Sequence, residues 1–349
     1  MTRRLARALR GLVLGAAVLA TGCTRESVDA KNCLRNTTGD VAVESCSRAI
    51  ASGRLPSSKL AVALYNRGIA YQERGDFDLA IADFDRAIEL RPDTSKAFYN
   101  RAISYLRKGE FERAVKDFDR VVQLTPDYAP GFRNRGNAYR GLLAFDRAIQ
   151  DYDQALKLSP EYAVAFSNRG LAYMNKEMYD RAIEDFDHAV RLKPDEGHSY
   201  RDRGSALFDK GEFKRAAQDL TKATELSRDD PYAAIRRFLA ESRVGADAAA
   251  RLREGASAID LRAWPGPVIA MYLGDGAPDQ VIEAAKQAPG HAAAQREHLS
   301  EAYYYLGHGL VVRGQRAKAI EMFRAAVAAG PTSAIEYAGA HAELERLVR

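Results

Sequence analysis

The chain has 349 residues and a formal charge of +5. Four arginines and no acid lie in residues 1–22, so without that segment +5 becomes +1. A near-neutral remainder excludes a nucleic-acid footprint, and the six scattered histidines form no His-x-x-x-His pair.

The N-terminal segment reads as an export signal. Arg3, Arg4, Arg7 and Arg10 precede an apolar run, Gly11–Ala20, that is too short to span a bilayer comfortably. Ala6-Arg7 breaks a twin-arginine pattern, so the general secretory route is favoured. Leu19-Ala20-Thr21-Gly22-Cys23 resembles a bacterial lipobox, which makes residues 1–22 the signal peptide and Cys23 the lipidated N-terminus. Thr24 is not the aspartate that retains lipoproteins at the inner membrane, which leans toward the outer one. The expected location is the periplasm-facing cell envelope, with the membrane touched only through the lipid.

From Ala61 to Asp230 a 34-residue phrase recurs five times without spacers, over 61–94, 95–128, 129–162, 163–196 and 197–230. Column 8 is small (Gly68, Ala102, Gly136, Gly170, Gly204), and so is column 20 (Ala80, Ala114, Ala148, Ala182, Ala216). Column 24 is Phe84, Phe118, Tyr152, Phe186 and Leu220. Apolar columns at helical spacing predict two helices per unit, with the small residues allowing close backbone approach. A turn, often glycine-bearing (Gly75, Gly109, Gly211), separates them, and a late proline (Pro92, Pro126, Pro160, Pro194) stops the second. Such a hairpin cannot bury its apolar face alone, and stacking neighbours does so. Column 7 (Arg67, Arg101, Arg135, Arg169, Arg203) and column 23 (Asp83, Asp117, Asp151, Asp185, Asp219) predict an Arg–Asp ladder, because a charge on a packed face needs a partner.

The Asn66–Tyr71 motif N-R-G-x-A-Y, echoed at Asn100, Asn134 and Asn168, resembles the tetratricopeptide (TPR) family, as does the A-I-x-D-F-D of Ala80–Asp85, Ala148–Asp153 and Ala182–Asp187. The resemblance implies an all-α superhelix, an α-solenoid of hairpins whose first helices line a concave peptide- or protein-binding groove. Residues 23–60 then form a lipidated start and a degenerate first hairpin. Within it Cys33 and Cys46 fall in two columns that face each other in TPR hairpins, which implies a disulfide worth about 2–3 kcal/mol for such a loop. A reactive or metal-binding pair is the alternative.

After Pro231 the register is lost. Residues 231–299 read as a degenerate helical segment with possible helices over Tyr232–Arg243, Ala246–Ile259, Val268–Leu273 and Pro278–Ala288, interrupted by Trp264-Pro265-Gly266-Pro267. Residues 300–349 hold a last unit, in which Tyr303, Gly307, Ala319, Phe323, Ala326 and Pro331 return to their columns. A closing helix, Ala334–Val348, follows and is expected to be an exposed cap. Trp264-Pro265, Tyr272-Leu273-Gly274 and Tyr305-Leu306-Gly307 resemble the ends of NlpI-like envelope lipoproteins. Trp264 reads as a packing plug, with a ligand contact as the alternative.

The groove columns nominate Tyr65, Asn66, Lys96, Tyr99, Asn100, Arg133, Asn134, Asn137, Arg140, Asn168 and Arg201. Amides both donate and accept, so an asparagine ladder suits an extended peptide backbone. The basic, aromatic-edged middle suits acidic residues or a free carboxylate. Tyr65 and Ile69 stand where a TPR carboxylate clamp would begin, which argues against a chaperone-tail clamp. No nucleophile–base set, phosphate loop, cofactor site or metal site is found, so the expectation is not an enzyme. Taken together, these features point to an exported TPR adaptor or scaffold of the bacterial envelope. A self-associating solenoid, a homodimer in which the groove of one copy holds the tail of the other, or a pilotin-like outer-membrane assembly factor is the alternative.

Overall fold

The computed structural model describes residues 28–35, 39–330, 332 and 334–348, so the signal segment and Cys23 lie outside the described residues. Those residues form nineteen α-helices and no strand. None of these helices is long and apolar enough to cross a membrane. The chain divides into two compact units, Met1–Pro92 and Asp93–Arg349.

The first unit stacks two hairpins. Helices α1 (Val28–Arg35) and α2 (Gly39–Ala51) make a short one, and α3 (Ser57–Arg74) and α4 (Phe77–Leu90) make the first full repeat. The Sγ atoms of Cys33 and Cys46 are bonded, with their Cα atoms 4.6 Å apart, and both side chains are fully buried. Around them lie only Ala30, Ala49 and Ala63, with Ile50 and Leu55 at the edge. A core of small residues gains little from burial, so the crosslink stands in for apolar mass. In the next hairpin a Cβ on Gly68 would come within 2.6 Å of the Phe84 ring, so the small column exists to seat the aromatic one.

The second unit continues with α5 (Ser95–Lys108), α6 (Phe111–Leu124), α7 (Ala129–Gly141), α8 (Phe145–Leu158), α9 (Ala163–Asn175), α10 (Tyr179–Leu192), α11 (Gly197–Lys210) and α12 (Phe213–Leu226). The same seat recurs where Gly136 meets Tyr152, Gly170 meets Phe186 and Gly204 meets Leu220. The column-15 turn is left-handed throughout: Gly109 has φ 73° and Gly211 φ 95°, but so do Leu143 at 59° and Glu177 at 57°. The stacking geometry overrides the preference of those two side chains.

The Arg–Asp ladder is present. Arg101, Arg135, Arg169 and Arg203 each fork with Nε and Nη2 onto the aspartate of their own hairpin, at 2.6–2.9 Å. In the first unit Arg67 does the same to Asp83 at 2.7 Å. The Nη1 atoms of Arg135, Arg169 and Arg203 reach back to Asp119, Asp153 and Asp187 of the preceding hairpin, at 2.8, 2.5 and 2.7 Å. One guanidinium therefore fixes geometry within a repeat and register between repeats.

Helices α13 (Pro231–Arg243) and α14 (Ala248–Ala256) extend the stack, and a cis Trp264–Pro265 bond precedes the short α15 (Gly266–Leu273) and α16 (Pro278–Gln287). The last hairpin is α17 (Ala292–Val312) and α18 (Arg316–Ala328), so it opens before the boundary expected at residue 300. Gly307 seats Phe323 at 2.7 Å as in a regular repeat.

The expectation of an exposed closing cap is corrected. Helix α19 (Ile335–Val348) turns inward and packs on α17, α9 and α11. Glu336 and Glu343 are buried, and they pair with Arg236 at 2.9 Å and Arg243 at 2.7 Å. Gly339 lets the helix backbone approach, since a Cβ there would lie 2.9 Å from the Tyr304 ring. Acids that read as solvated in sequence are instead half of a buried ion-pair seam.

Candidate functional site

The nominated groove residues divide into spent and open groups. In the first unit Asn66 is buried and its Nδ2 donates to the Cys33 carbonyl at 2.8 Å, while Tyr65 is half-buried against Phe84 with ring centroids 6.0 Å apart. In the second unit the amides hydrogen-bond to one another. Asn134 is buried and its Nδ2 donates to the Tyr99 hydroxyl at 2.6 Å. Asn137 Nδ2 donates to Asn134 Oδ1 at 3.4 Å, and Asn137 Oδ1 accepts from Tyr152 at 2.8 Å and from Asn168 at 2.9 Å. Asn66 and Asn134 therefore depart from the expected ligand-facing role: burial and an internal acceptor fix them as register pins. Asn100 is half-buried on α5, one turn before Ser104, whose hydroxyl donates to its carbonyl at 3.1 Å.

The remaining nominees cluster on α5 and α7. Lys96 is exposed, and Tyr99, Arg133 and Arg140 are half-buried. Arg133 lies over the Tyr162 ring at 5.7 Å, and its Nε is buried without a hydrogen-bond partner among the described residues. Tyr99 meets Tyr128 edge-on at 5.6 Å. Burial first, then the neighbouring Tyr128, pushes the Tyr99 phenol up to about 12, so it stays a neutral donor. Tyr128 and Tyr162 were not nominated from sequence. They fill one column, the last of their repeats, and that pairing beside Arg133 was the available signal. The patch is aromatic with a cation at its centre, suited to a carboxylate lying against tyrosine edges.

Arg201 is not open. It pairs with Asp202 at 3.0 Å and Asp230 at 2.8 Å, beside a cavity of about 290 Å³ edged by Arg140, Leu171, Tyr232, Arg236, Glu301 and Glu336. Below it Arg236, 1% exposed, donates to Asp209 at 3.1 Å and to Tyr304 at 3.0 Å as well as to Glu336. Burial lifts the Asp209 carboxyl to about 6. Burial, followed by the charge of Glu336, lifts Glu301 to about 8. Trp264 is partly buried, with its Nε1 donating to Glu301 Oε2 at 2.8 Å, so it plugs the irregular segment against α17. His308 is fully buried beside Arg243, and burial holds its imidazole well below the usual range. No group of three or more His, Cys, Asp or Glu able to hold a metal occurs among the described residues.

Stacked helical hairpins with an aromatic, cationic first-helix face define a helical-repeat scaffold. Residues 65–129 and 169–242 match tetratricopeptide-repeat family models, and residues 144–177 match a TPR repeat model. These stretches are tetratricopeptide repeats, and the protein is a scaffold of the protein-interaction type. Among solved structures it is similar to a tetratricopeptide repeat protein from Parabacteroides merdae, at 22% identity, TM-score 0.55, and coverage of 67% of this chain and 90% of that one. It is also similar to PilF of Pseudomonas aeruginosa, at 18% identity, TM-score 0.52, and coverage of 62% and 98%. At these identities the likeness is one of fold. No curated protein matches the chain.

Proposed function

We propose that this protein is an exported, lipid-anchored adaptor of the bacterial envelope that takes an acidic or carboxylate-bearing peptide segment on the first-helix face of its second unit. One observation carries the reading: Arg133, half-buried with an unpartnered buried Nε, lies over Tyr162, beside Tyr99 and its edge-on neighbour Tyr128. Tetratricopeptide repeats serve peptide and protein recognition, and a guanidinium between phenol edges favours a carboxylate over an uncharged strand. The arrangement offers recognition without a nucleophile or general base at hand, which supports a scaffold over an enzyme. Export and anchoring rest on the basic start, the short apolar run and Cys23.

The test is in-cell photocrosslinking from position 133, compared with exposed Lys116 on α6. Asn134 is unsuitable because it is buried. A partner captured from 133 and not from 116, and released by excess acidic peptide, supports the adaptor. Capture of the protein by itself, or the same products from both positions, overturns it. Palmitate labelling that persists in Cys23→Ser overturns the anchor.

A further inference from the structure

The cavity beside α19 shows an imbalance that the repeat pattern does not explain. Each arginine of the α11–α13 wall is matched by two carboxylates, Arg201 by Asp202 and Asp230, and Arg236 by Asp209 and Glu336. Glu301 is the reverse case. It is 8% exposed and lines the cavity, yet its hydrogen-bond donors are neutral: Tyr232 at 3.1 Å and Trp264 at 2.8 Å. Both donate to Oε2, which leaves Oε1 for another group. A buried acid is costly to ionise without a cation. Leu171, Ala334 and Ile335 supply apolar wall beside it.

We propose that this cavity is a binding site for an alkylammonium group, a lysine side chain or a peptide N-terminus, whose N–H donates to Glu301 Oε1 while its methylenes lie against Leu171 and Ile335. The site goes beyond the Arg133 patch in both place and ligand charge. An inorganic anion is disfavoured because Arg201 and Arg236 are already each matched by two carboxylates. A multivalent metal is disfavoured because no described cluster provides three ligating side chains. The charged and titratable groups facing Glu301 are Arg140 from α7, Arg201 and Asp202 from α11, Tyr232 and Arg236 from α13, Glu297 and His298 from α17, and Glu336 from α19. Glu301 is lifted to about 8. The ammonium therefore binds the ionised minority at neutral pH, and one proton leaves as it binds.

Trp264 is the single tryptophan of the chain and hydrogen-bonds to Glu301, so its emission reports the site. The probe is n-butylammonium, with n-butanol and butyrate as uncharged and anionic isosteres. The expected result is a saturable emission change with n-butylammonium alone, tightening about fifty-fold from pH 6 to pH 8. Glu301→Gln, which keeps an acceptor for Trp264 and Tyr232, is expected to abolish the response at unchanged helicity and with no loss of melting temperature at any pH tested. A peptide with a free N-terminus and no lysine, and an N-acetylated peptide with one lysine, then identify the source. An equal response to butanol, or an undiminished response in Glu301→Gln, overturns the proposal. So does no response to the amine and to either peptide. The Arg133 crosslink is read separately, so each reading can fail alone.

Discussion

Arg236→Met tests whether α19 is held by charge or by apolar packing. Arg236 is 1% exposed and bridges Asp209 on α11 to Glu336 on α19, with its guanidinium 5.0 Å from the Tyr304 ring centroid. Methionine keeps the stem and removes the charge, which strands two acids that are 1% and 5% exposed. Removing one partner of a buried pair costs about 3–5 kcal/mol. The apolar contribution opposing this comes from Ala338, Gly339 and Ala340, which are buried, and from Ile335, Leu344 and Leu347, which are only partly buried against the core. Undocking α19 lets both acids hydrate, so the cost should appear as local opening rather than global unfolding. Hydrogen exchange by mass spectrometry should show α19 amides exchanging two to three orders of magnitude faster, about 1.4 kcal/mol per decade. Adding Asp209→Asn and Glu336→Gln should restore most protection, since neutralising a whole buried ion cluster is often tolerated. Unchanged α19 exchange in Arg236→Met, or a triple variant as loose as the single one, would refute the charge-held docking.

Three further outcomes follow from the same geometry. Glu301 is raised from its ordinary value to about 8, so the native state holds a proton that the unfolded chain has lost, and stability declines as pH rises from about 4.5 to about 8. Glu301→Gln should match the parent in urea unfolding near pH 5 and exceed it by about 2–4 kcal/mol at pH 8.5, with a parallel pH profile counting against the burial argument. Leu143→Gly and Glu177→Gly relieve left-handed backbone at a cost in unfolded-state entropy, so each should stabilise by about 0.5–1 kcal/mol in thermal melts, and a loss of stability would mean the side chains pack. Cys46→Ser should destabilise the α1–α2 hairpin by about 2–3 kcal/mol and expose α2 to proteolysis without changing exchange in α17–α19.

The periodic part of the fold was legible because each 34-residue step makes one contact many times. Column 8 against column 24, seen as Gly136 on Tyr152 and Gly170 on Phe186, follows from helical spacing alone. The Arg–Asp fork was legible for the same reason, as a charge recurring on a packed face. The asparagine ladder was harder. Its columns were visible, but whether Asn134 meets a ligand or Tyr99 depends on a hydroxyl one repeat away. The α19 docking was out of reach because Arg236 and Glu336 are separated by 100 residues, and neither belongs to the repeat register. Helical charge patterning reads i,i+4 neighbours and has no access to such a pair. Leu143 and Glu177 show a further limit: the stack imposes a left-handed turn where local preference predicts otherwise.

The irregular C-terminal half also changes what the regular half can do. First-helix faces in a solenoid are equivalent by construction, so an uncovered array would present one long groove. Here α19 rests on α9 and α11, while Lys96, Tyr99 and Arg133 on α5 and α7 keep their half-buried or exposed state. The faces of α9 and α11 contribute Leu171 and Arg201, and α7 contributes Arg140, to the cavity with Glu301, while α7 also carries the tyrosine-edged Arg133. The two proposed sites, opposite in charge preference, would thus share one repeated surface. The α19 seam is made of buried arginine–carboxylate pairs beside alanine, glycine and the partly buried Ile335, Leu344 and Leu347, and the docked Asp209 carboxyl, lifted to about 6, takes its proton before a hydrated one would. Docking is therefore linked to proton uptake, so raising the pH through about 6 should loosen α19 before any repeat melts, and the order of these two events in hydrogen exchange decides whether the C-terminal half is a lid on the array or part of its core.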